Sequence, residues 1–463
     1  MMLQFKEKMP INRKKIKSAA EKILRLRNGI AQHDNEELFK ILSSIYPLEL
    51  KSFPSNLAYN GWVVPKHWEV LEATISEQGE IIFDGTQHPL AVGGGSVSVN
   101  CQISKSELLS HINTLQKRPS NYVYNPLNNL RPWQKKWSLS VPFEQLRKFG
   151  SGPFDVKIVT KFHDHEMLVG SCFHQGSSDQ TIIFNAHTCH PGQLNDGFSG
   201  VLAILKIFDE LKSRKTKYSY LGVIAPEHLG TVFYLSDKSD DWLKKQKMAF
   251  IIESIASRGD LKLQDSFDRD SIASRLAYNS ILTVQGYCER KPFRTIVGND
   301  ETVWEAGGIG IPAPSITRHP FPEYHTDADN LDHFSFVHFE QTLDVVRNLI
   351  DALELDVFVK RKFKGLIALS NPKIDSYKEQ PNPTIDKGLS NRELNWGIFQ
   401  DYMFSLLEGD QTILSLSEAS NIPFPELYEY FLGLEAKSLV EFSKVCDLER
   451  YDNINIHSIP TQT

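Results

Sequence analysis

Residues 14–46 carry apolar positions three and four apart, in KIKSAAEKILRLRNGI and DNEELFKILSSIY, and predict two short amphipathic helices. From Gly61 the period changes. WVVPKHWEVLEATISEQGEIIFDGTQHPLAV is cut into short β-like runs by turn residues, and such text continues to about Val156. The pattern predicts a small β-rich module at 61–156, inserted between N-terminal helices (1–60) and a main domain (157–365). In the main domain strands alternate with helices. Strand candidates are TIIFNA, YSYLGVIA (218–225), MAFIIES (248–254) and IPAPSIT (311–317). Helical spacing covers 198–212, 229–244 and 336–354. Alternation of this kind predicts an α/β fold, a mostly parallel sheet covered on both faces. Residues 366–392 are Pro-rich and polar, a linker by composition. The tail, 393–463, reads helix, helix, helix, short strand, the order of a winged-helix module.

Composition narrows the partners. The chain has 463 residues, 23% of them charged, with a net charge of −6. That balance argues against a binder of nucleic acid working by broad phosphate neutralisation. The third tail helix carries Glu426, Glu429 and Glu435, with Lys437 at its end. A recognition helix needs basic residues near its start, so internal packing or a contact in a homo-oligomer is the expected use. Five scattered cysteines form no CxxC pair, so neither a disulfide framework nor a Cys-type zinc site is indicated. No apolar run reaches membrane-spanning length, and no secretory leader pattern is present. A cytoplasmic protein with no membrane partner is expected. The Gly93-Gly94-Gly95 triplet has no Gly-Lys-Ser/Thr after it and reads as a turn rather than a phosphate loop.

The chemistry gathers at strand ends. TIIFNA runs into His187-Thr-Cys189-His190, then Asn-Asp196-Gly, then a helical pattern. Neutral imidazole and carboxylate in one strand-to-helix turn are first candidates for a divalent transition metal, and that crevice is where open α/β sheets bind ligands. Glu227 and His228 follow the next strand. A Glu there serves as metal ligand, as general base, or merely as a helix N-terminal carboxylate. Glu253 interrupts an apolar strand, where an ion pair or a metal must hold it. The loop TRHPFPEYHTDADN ends a fourth strand with His319, Glu323, His325, Asp327 and Asp329. His325 is the ligand candidate, with Asp327 or Asp329 orienting its ring or capping a helix. Each element alone has an ordinary structural explanation. Four strand ends carrying His, Asp or Glu make four separate explanations improbable.

In this order, AHTCHPG, PEHLGT and PEYHTDADN resemble the co-catalytic zinc aminopeptidases, and more narrowly the bacterial aminopeptidase-like group with an inserted β-domain and a C-terminal winged helix. The resemblance covers nearly the whole chain. It implies a zinc-exopeptidase-like three-layer sandwich, zinc as one ion or two, and amide hydrolysis by metal-activated water. Residue by residue, it makes His187 a metal ligand, Asp196 the bridging carboxylate and His325 the last histidine. Glu253 stands where the family has an Asp. At Pro226-Glu227-His228 the family has Glu-Glu, and two registers are open. In one, Glu227 is the base and His228 the second-metal ligand; in the other, Glu227 is the ligand and the base is lost. The first preserves both roles and is the one expected. Cys189 replaces the Asp that orients the first histidine, and a thiol is a weaker partner. His190 is the candidate for that orienting role, or a ligand in a one-metal site. Arg318, Tyr324 and the Asn299–Glu301 loop are candidates for holding a substrate terminus or oxyanion. Spare acid groups at Asp300 and Glu301 offer an alternative base. The expected substrate is a peptide or an acylated small molecule. Beside an aminopeptidase stand a deacylase of a sugar or metabolite, and a binding or scaffold protein that has lost turnover.

Overall fold

The computed structural model describes residues 13–379 and 391–445, with 447, 448, 451, 454 and 459. Cys446 and residues 380–390 of the expected linker lie outside the described residues. The N-terminal helices form at Arg13–Ile23 and Asp34–Ile45 and bury one face each, the first through Ile16, Ala19, Ala20 and Ile23. That spacing of three and four is what the sequence pattern gave.

The largest sheet orders its strands Glu49–Pro54, Glu166–His174, Ser219–Ala225, Thr181–His187, Gln246–Ile252, Ser315–Thr317, Lys262–Gln264, Glu289–Lys291. The four central strands run parallel. Antiparallel pairs adjoin them on both sides. Side chains of Thr181–His187 divide by parity. Ile182, Phe184 and Ala186 join the helices Gly200–Leu211, Ile272–Gln285 and Phe336–Leu355 in one apolar cluster. Ile183 joins Leu229, Phe233 and Trp304 in another. A strand buried on both faces has no polar alternation, which is why TIIFNA reads as a nearly unbroken apolar run. The expected three-layer α/β sandwich is the observed fold, with a mixed sheet whose centre is parallel. One expected helix, 229–244, is two: Leu229–Leu235 and Asp240–Lys245. Ser239 caps the second by accepting from the Trp242 N–H, and Asp240 and Asp241 favour its N-terminus.

Between Glu49–Pro54 and Glu166–His174 stands a four-stranded antiparallel sheet, in the order Glu80–Asp84, His67–Glu77, Phe154–His163, Val99–Ile103. Ile75, Phe83, Phe154 and Ile158 centre its own small core. The boundary placed at 156 falls inside the strand Phe154–His163, which pairs with His67–Glu77 along its whole length. The Gly93–Gly95 segment includes a turn, and Gly95 has a left-handed φ of 69°.

After the long helix Phe336–Leu355 the chain forms Val357–Arg361, the middle strand of a three-stranded antiparallel sheet with Glu408–Thr412 and Val440–Lys444. Helices Asn391–Leu406, Ile413–Ser420 and Phe424–Ala436 complete this unit. The boundary placed at 365 therefore separates a strand from both of its partners. Among the described residues no helix is long and apolar enough to cross a membrane.

Candidate metal centre

Parallel strands present their C-terminal ends along one edge, so chemistry from distant sequence positions meets there. His187 is the last residue of its strand, Glu227 lies two beyond Ala225, and Glu253 follows Ile252 directly. Asp196 comes from a tight turn, Asn195–Ser199, where it leaves helical geometry (φ −88°, ψ 93°) before the helix from Gly200. Two glycines permit this turn. A Cβ on Gly197 would stand 2.6 Å from the His187 ring, and one on Gly200 only 1.7 Å from the Ile252 carbonyl oxygen. Asp329 fixes the turn, accepting from the N–H groups of Asn195 (2.8 Å) and Asp196 (2.9 Å).

Around Asp196 the ligand atoms close into two sets. His187 Nε2 lies 3.2 Å from Asp196 Oδ1 and 3.4 Å from Glu253 Oε2. Tetrahedral zinc with donors at about 2.0–2.1 Å has neighbouring donors about 3.3–3.4 Å apart, so this triangle fits it. The other carboxylate oxygen, Oδ2, lies 3.2 Å from His325 Nε2 and 3.9 Å from His190 Nε2. Asp196 Oδ2 and His325 Nε2 are buried atoms without a hydrogen-bond partner. Orphaned ligand atoms facing each other at 3.2 Å are a costly arrangement in a protein without a cation to share. The residues present therefore fit a metal.

Electrostatics agree. Burial would raise the Asp196 carboxyl, yet His190, His187 and His325 around it hold it well below the usual carboxylate range. Burial opposes charge on His187, but hydrogen bonds to Asp196, Cys189 and Glu253 outweigh it and raise its basicity. His190 is pushed down to about 3 by burial, with Asp196 opposing, and stays neutral. Glu227 is raised to about 8 by burial, opposed by His187 and reinforced by the carboxylates of Asp300, Glu253 and Asp196. A lone pair on His187 Nε2 requires its proton on Nδ1. Nδ1 lies 3.2 Å from His190 Nδ1, the Cys189 Sγ lies 3.5 Å from that same His190 nitrogen, and the His187 side chain also hydrogen-bonds to Cys189. If His190 accepts that proton's bond, its own Nε2 carries hydrogen and cannot ligate. If the Cys189 thiol accepts, His190 Nε2 is free to ligate. The Cys189 thiol, raised by burial, is neutral in either case.

The structure brings His187, His190, Asp196, Glu253 and His325 together. Glu227 joins them in the wall of a cavity of about 130 Å³, with Cys189 and Tyr324. It does not bring in His228, expected as a second-metal ligand. His228 has a positive φ of 55° and stands outside both ligand sets: its Nδ1 faces Glu227 Oε1 at 3.5 Å, its Nε2 meets Thr302 at 3.2 Å, and its N–H donates to Asp300. Arg318, expected near substrate, is also turned away. It is almost fully buried, donating to the carbonyls of Ile255, Gly259 and His338 and to Gln341. Asp300 and Glu301 are not spare: Asp300 accepts from His228 and Thr231, and Glu301 from Asn299 and Arg294. Asp329 grips the Asp196 turn instead of His325, and Asp327 accepts from Asn121 and Tyr122 of the inserted module. Tyr324 stacks on His325 at 3.9 Å.

Two contributors, Tyr124 and Asn129, carry no sequence signal of their own, and Asn299, expected with its loop to hold substrate, takes another role. Asn299 donates its amide to Glu253 Oε2. Tyr124 and Asn129 reach the cavity from the inserted module. The Tyr124 ring lies 4.8 Å from that of His190 and 5.2 Å from that of His325, and its N–H donates to the His325 carbonyl at 2.8 Å.

Comparison with known proteins places this geometry. Residues 18–356 match the family model described as "Domain of unknown function (DUF4910)". A Clostridium acetobutylicum protein named "Putative polysaccharide biosynthesis protein with aminopeptidase-like domain" is 26% identical over 317 residues, 67% of this chain and 71% of that protein. The crystal structure of a "putative peptidase" from the same species superposes with a TM-score of 0.75 at 22% identity, covering 93% of this chain and 96% of the other. A zinc aminopeptidase from Bacillus subtilis superposes with a TM-score of 0.55 at 15% identity, over 74% of this chain and 95% of its own. The fold expected from the zinc-aminopeptidase resemblance is shared with these structures.

Proposed function

The chain belongs to the DUF4910 family, and on that footing we propose that it is a zinc-dependent amide hydrolase of the aminopeptidase type. The observation that carries the reading is the convergence on Asp196: one oxygen in a zinc-sized triangle with His187 and Glu253, the other orphaned opposite His325. His187, Asp196 and Glu253 would hold one ion. Asp196, His325 and His190 offer a second set. Bound zinc supplies acidified water and a polarised substrate carbonyl. Glu227 faces the cavity and takes the proton from the attacking water, then returns it to the leaving amine. Its raised proton affinity suits the return step. Asn299 holds Glu253 in place, and Asp329 holds the Asp196 turn. Tyr124 lines the same cavity beside the rings of His190 and His325.

The test is metal content and turnover together. Untagged protein is expected to carry zinc, to release it to a chelator, and to hydrolyse aminoacyl arylamides in a metal-dependent way. Full-length protein that binds less than about half an equivalent of zinc, across the affinity range of structural and catalytic sites, sinks the reading. A second reading, removal of an acyl group from an amino sugar, draws support from the relative named for polysaccharide biosynthesis. Turnover of acylated amino sugars without turnover of arylamides would favour it.

A further inference from the structure

A second, larger cavity of about 650 Å³ lies between the segment 27–34 and the inserted module. It shares Ile30, Tyr124 and Asn129 with the cavity at the metal centre. Its volume is in the range of sites that hold small organic ligands, about 300–1,000 Å³. A molecule lying in it borders the metal-centre cavity at these three residues.

The wall has a distinct chemistry. Most of its charged side chains are already committed. Arg27 donates to the Thr86 carbonyl, Lys66 pairs with Asp164 at 2.9 Å, and Glu69 faces His163 at 3.7 Å. Asp34 accepts from the Arg27 N–H. Lys135 is exposed. The other polar side chains of the wall are mainly amides, among them Asn28, Asn125, Asn128, Asn129 and Gln134. Asn28 Oδ1, Asn128 Oδ1 and His67 Nδ1 are buried atoms with no hydrogen-bond partner. Both amides are oriented by their nitrogens, Asn28 donating to Thr188 and Asn128 to Gly95 and Lys136. Their oxygens are left as acceptors in want of donors. Beside them stand two aromatic rings. Trp68 and Phe162 are directly paired across adjacent strands, and the indole N–H of Trp68 is tied to the Ser96 carbonyl at 2.9 Å. Phe162 is 44% exposed although it lines the cavity.

We propose that this groove binds a neutral, hydroxyl-rich chain, an oligosaccharide, whose end is presented to the metal centre. A sugar ring offers an apolar C–H face for the aromatic side chains and hydroxyl groups for the amides of Asn28, Asn125, Asn128, Asn129 and Gln134 that line the groove. The proposal rests on the hydrolase reading for the role of the bound chain, but the groove is measurable separately.

Chitotetraose, a neutral oligomer of N-acetylglucosamine, is titrated calorimetrically into the full-length protein and its Glu227→Gln variant, with acetyl-tetraglycine amide as the peptide counterpart. Saturable binding of the sugar by both proteins is expected, tighter than the peptide and weakened about tenfold or more by Phe162→Ala or Trp68→Ala. Phe162 is exposed, so its truncation leaves the fold intact even where loss of Trp68 does not. No saturable sugar binding, stronger peptide binding, or an affinity indifferent to Phe162→Ala overturns the proposal. Arylamide turnover without sugar binding fails the groove alone. Sugar binding without any amide turnover fails the hydrolase reading alone.

Discussion

His187 and Glu253 meet Asp196 from the ends of buried parallel strands, whereas His325 meets it from a loop. The first pair is nearly inaccessible, and Glu253 is held by Asn299. The His325 side chain is 27% exposed, and its backbone sits in the left-handed region at φ 55°. Its position depends on stacking with Tyr324 and on the Tyr124 N–H from another module. Strand ends give a preformed cage; a loop gives a hinged one. The two halves of the cluster should therefore differ in affinity, the His187 half binding tightly and the His325 half exchanging.

Asp196→Ala is the strongest blow because it removes the atom pair both halves share. Zinc affinity should weaken by more than about 100-fold, beyond the cost of losing an outer-shell partner, as read by competitive chelation. Glu227→Gln separates base from ligand. Turnover should fall about 10²- to 10⁴-fold with zinc stoichiometry unchanged; a loss of zinc would make Glu227 a ligand and reverse its assignment. His187→Ala and His325→Ala test the asymmetry directly. The first should abolish tight zinc binding, while the second should remove only a weaker binding step, if two ions bind. Equal losses in the two variants would erase the distinction. Asn299→Leu should cost the tight ion about 10- to 100-fold in affinity and leave the looser one unchanged.

A smaller effect is expected in pH. In metal-free protein His187 is raised above its ordinary value and Glu227 to about 8, so both bind protons more tightly folded than unfolded. Their contribution to stability is fully present below the unfolded values and is lost as pH rises through the folded ones. The melting temperature of chelator-treated protein should accordingly fall between pH 6.5 and about 8. Zinc displaces the His187 proton, so the stabilisation by metal should grow over the same interval. A metal-free melting curve that rises with pH there would contradict the assigned protonation of the tight half.

The legibility of this site follows the same division. His187, Asp196, Glu253 and Glu227 could be read from the sequence because an apolar run marks where a strand ends, and the ends of parallel strands share an edge. The fold was legible for that reason too. His228 was misplaced because its contacts with Thr302 and Asp300 are unannounced in the sequence. Arg318 looked available because the sequence does not show that buried carbonyls surround it. Tyr124 and Asn129 lie in a polar loop with no period and join the site only through docking of two units. The strand Val357–Arg361 was missed as part of the tail because a Pro-rich stretch separates it in sequence from both of its partners.

That strand has a consequence for how this protein can be cut or recombined. The match to the family ends at residue 356, one residue before it begins. Leu276 and Leu349 of the main domain share a single apolar cluster with Phe399, Leu416 and Phe431 of the tail. Across the same seam Arg275 pairs with Glu418 at 2.7 Å, and Tyr451 donates to Asp356 at 2.6 Å. A fragment stopped at 356 would carry a bare oily flank and a buried-type arginine without its counterion, and would clump. The tail is thus no exchangeable cassette. Any shortened version meant for expression or grafting must keep it.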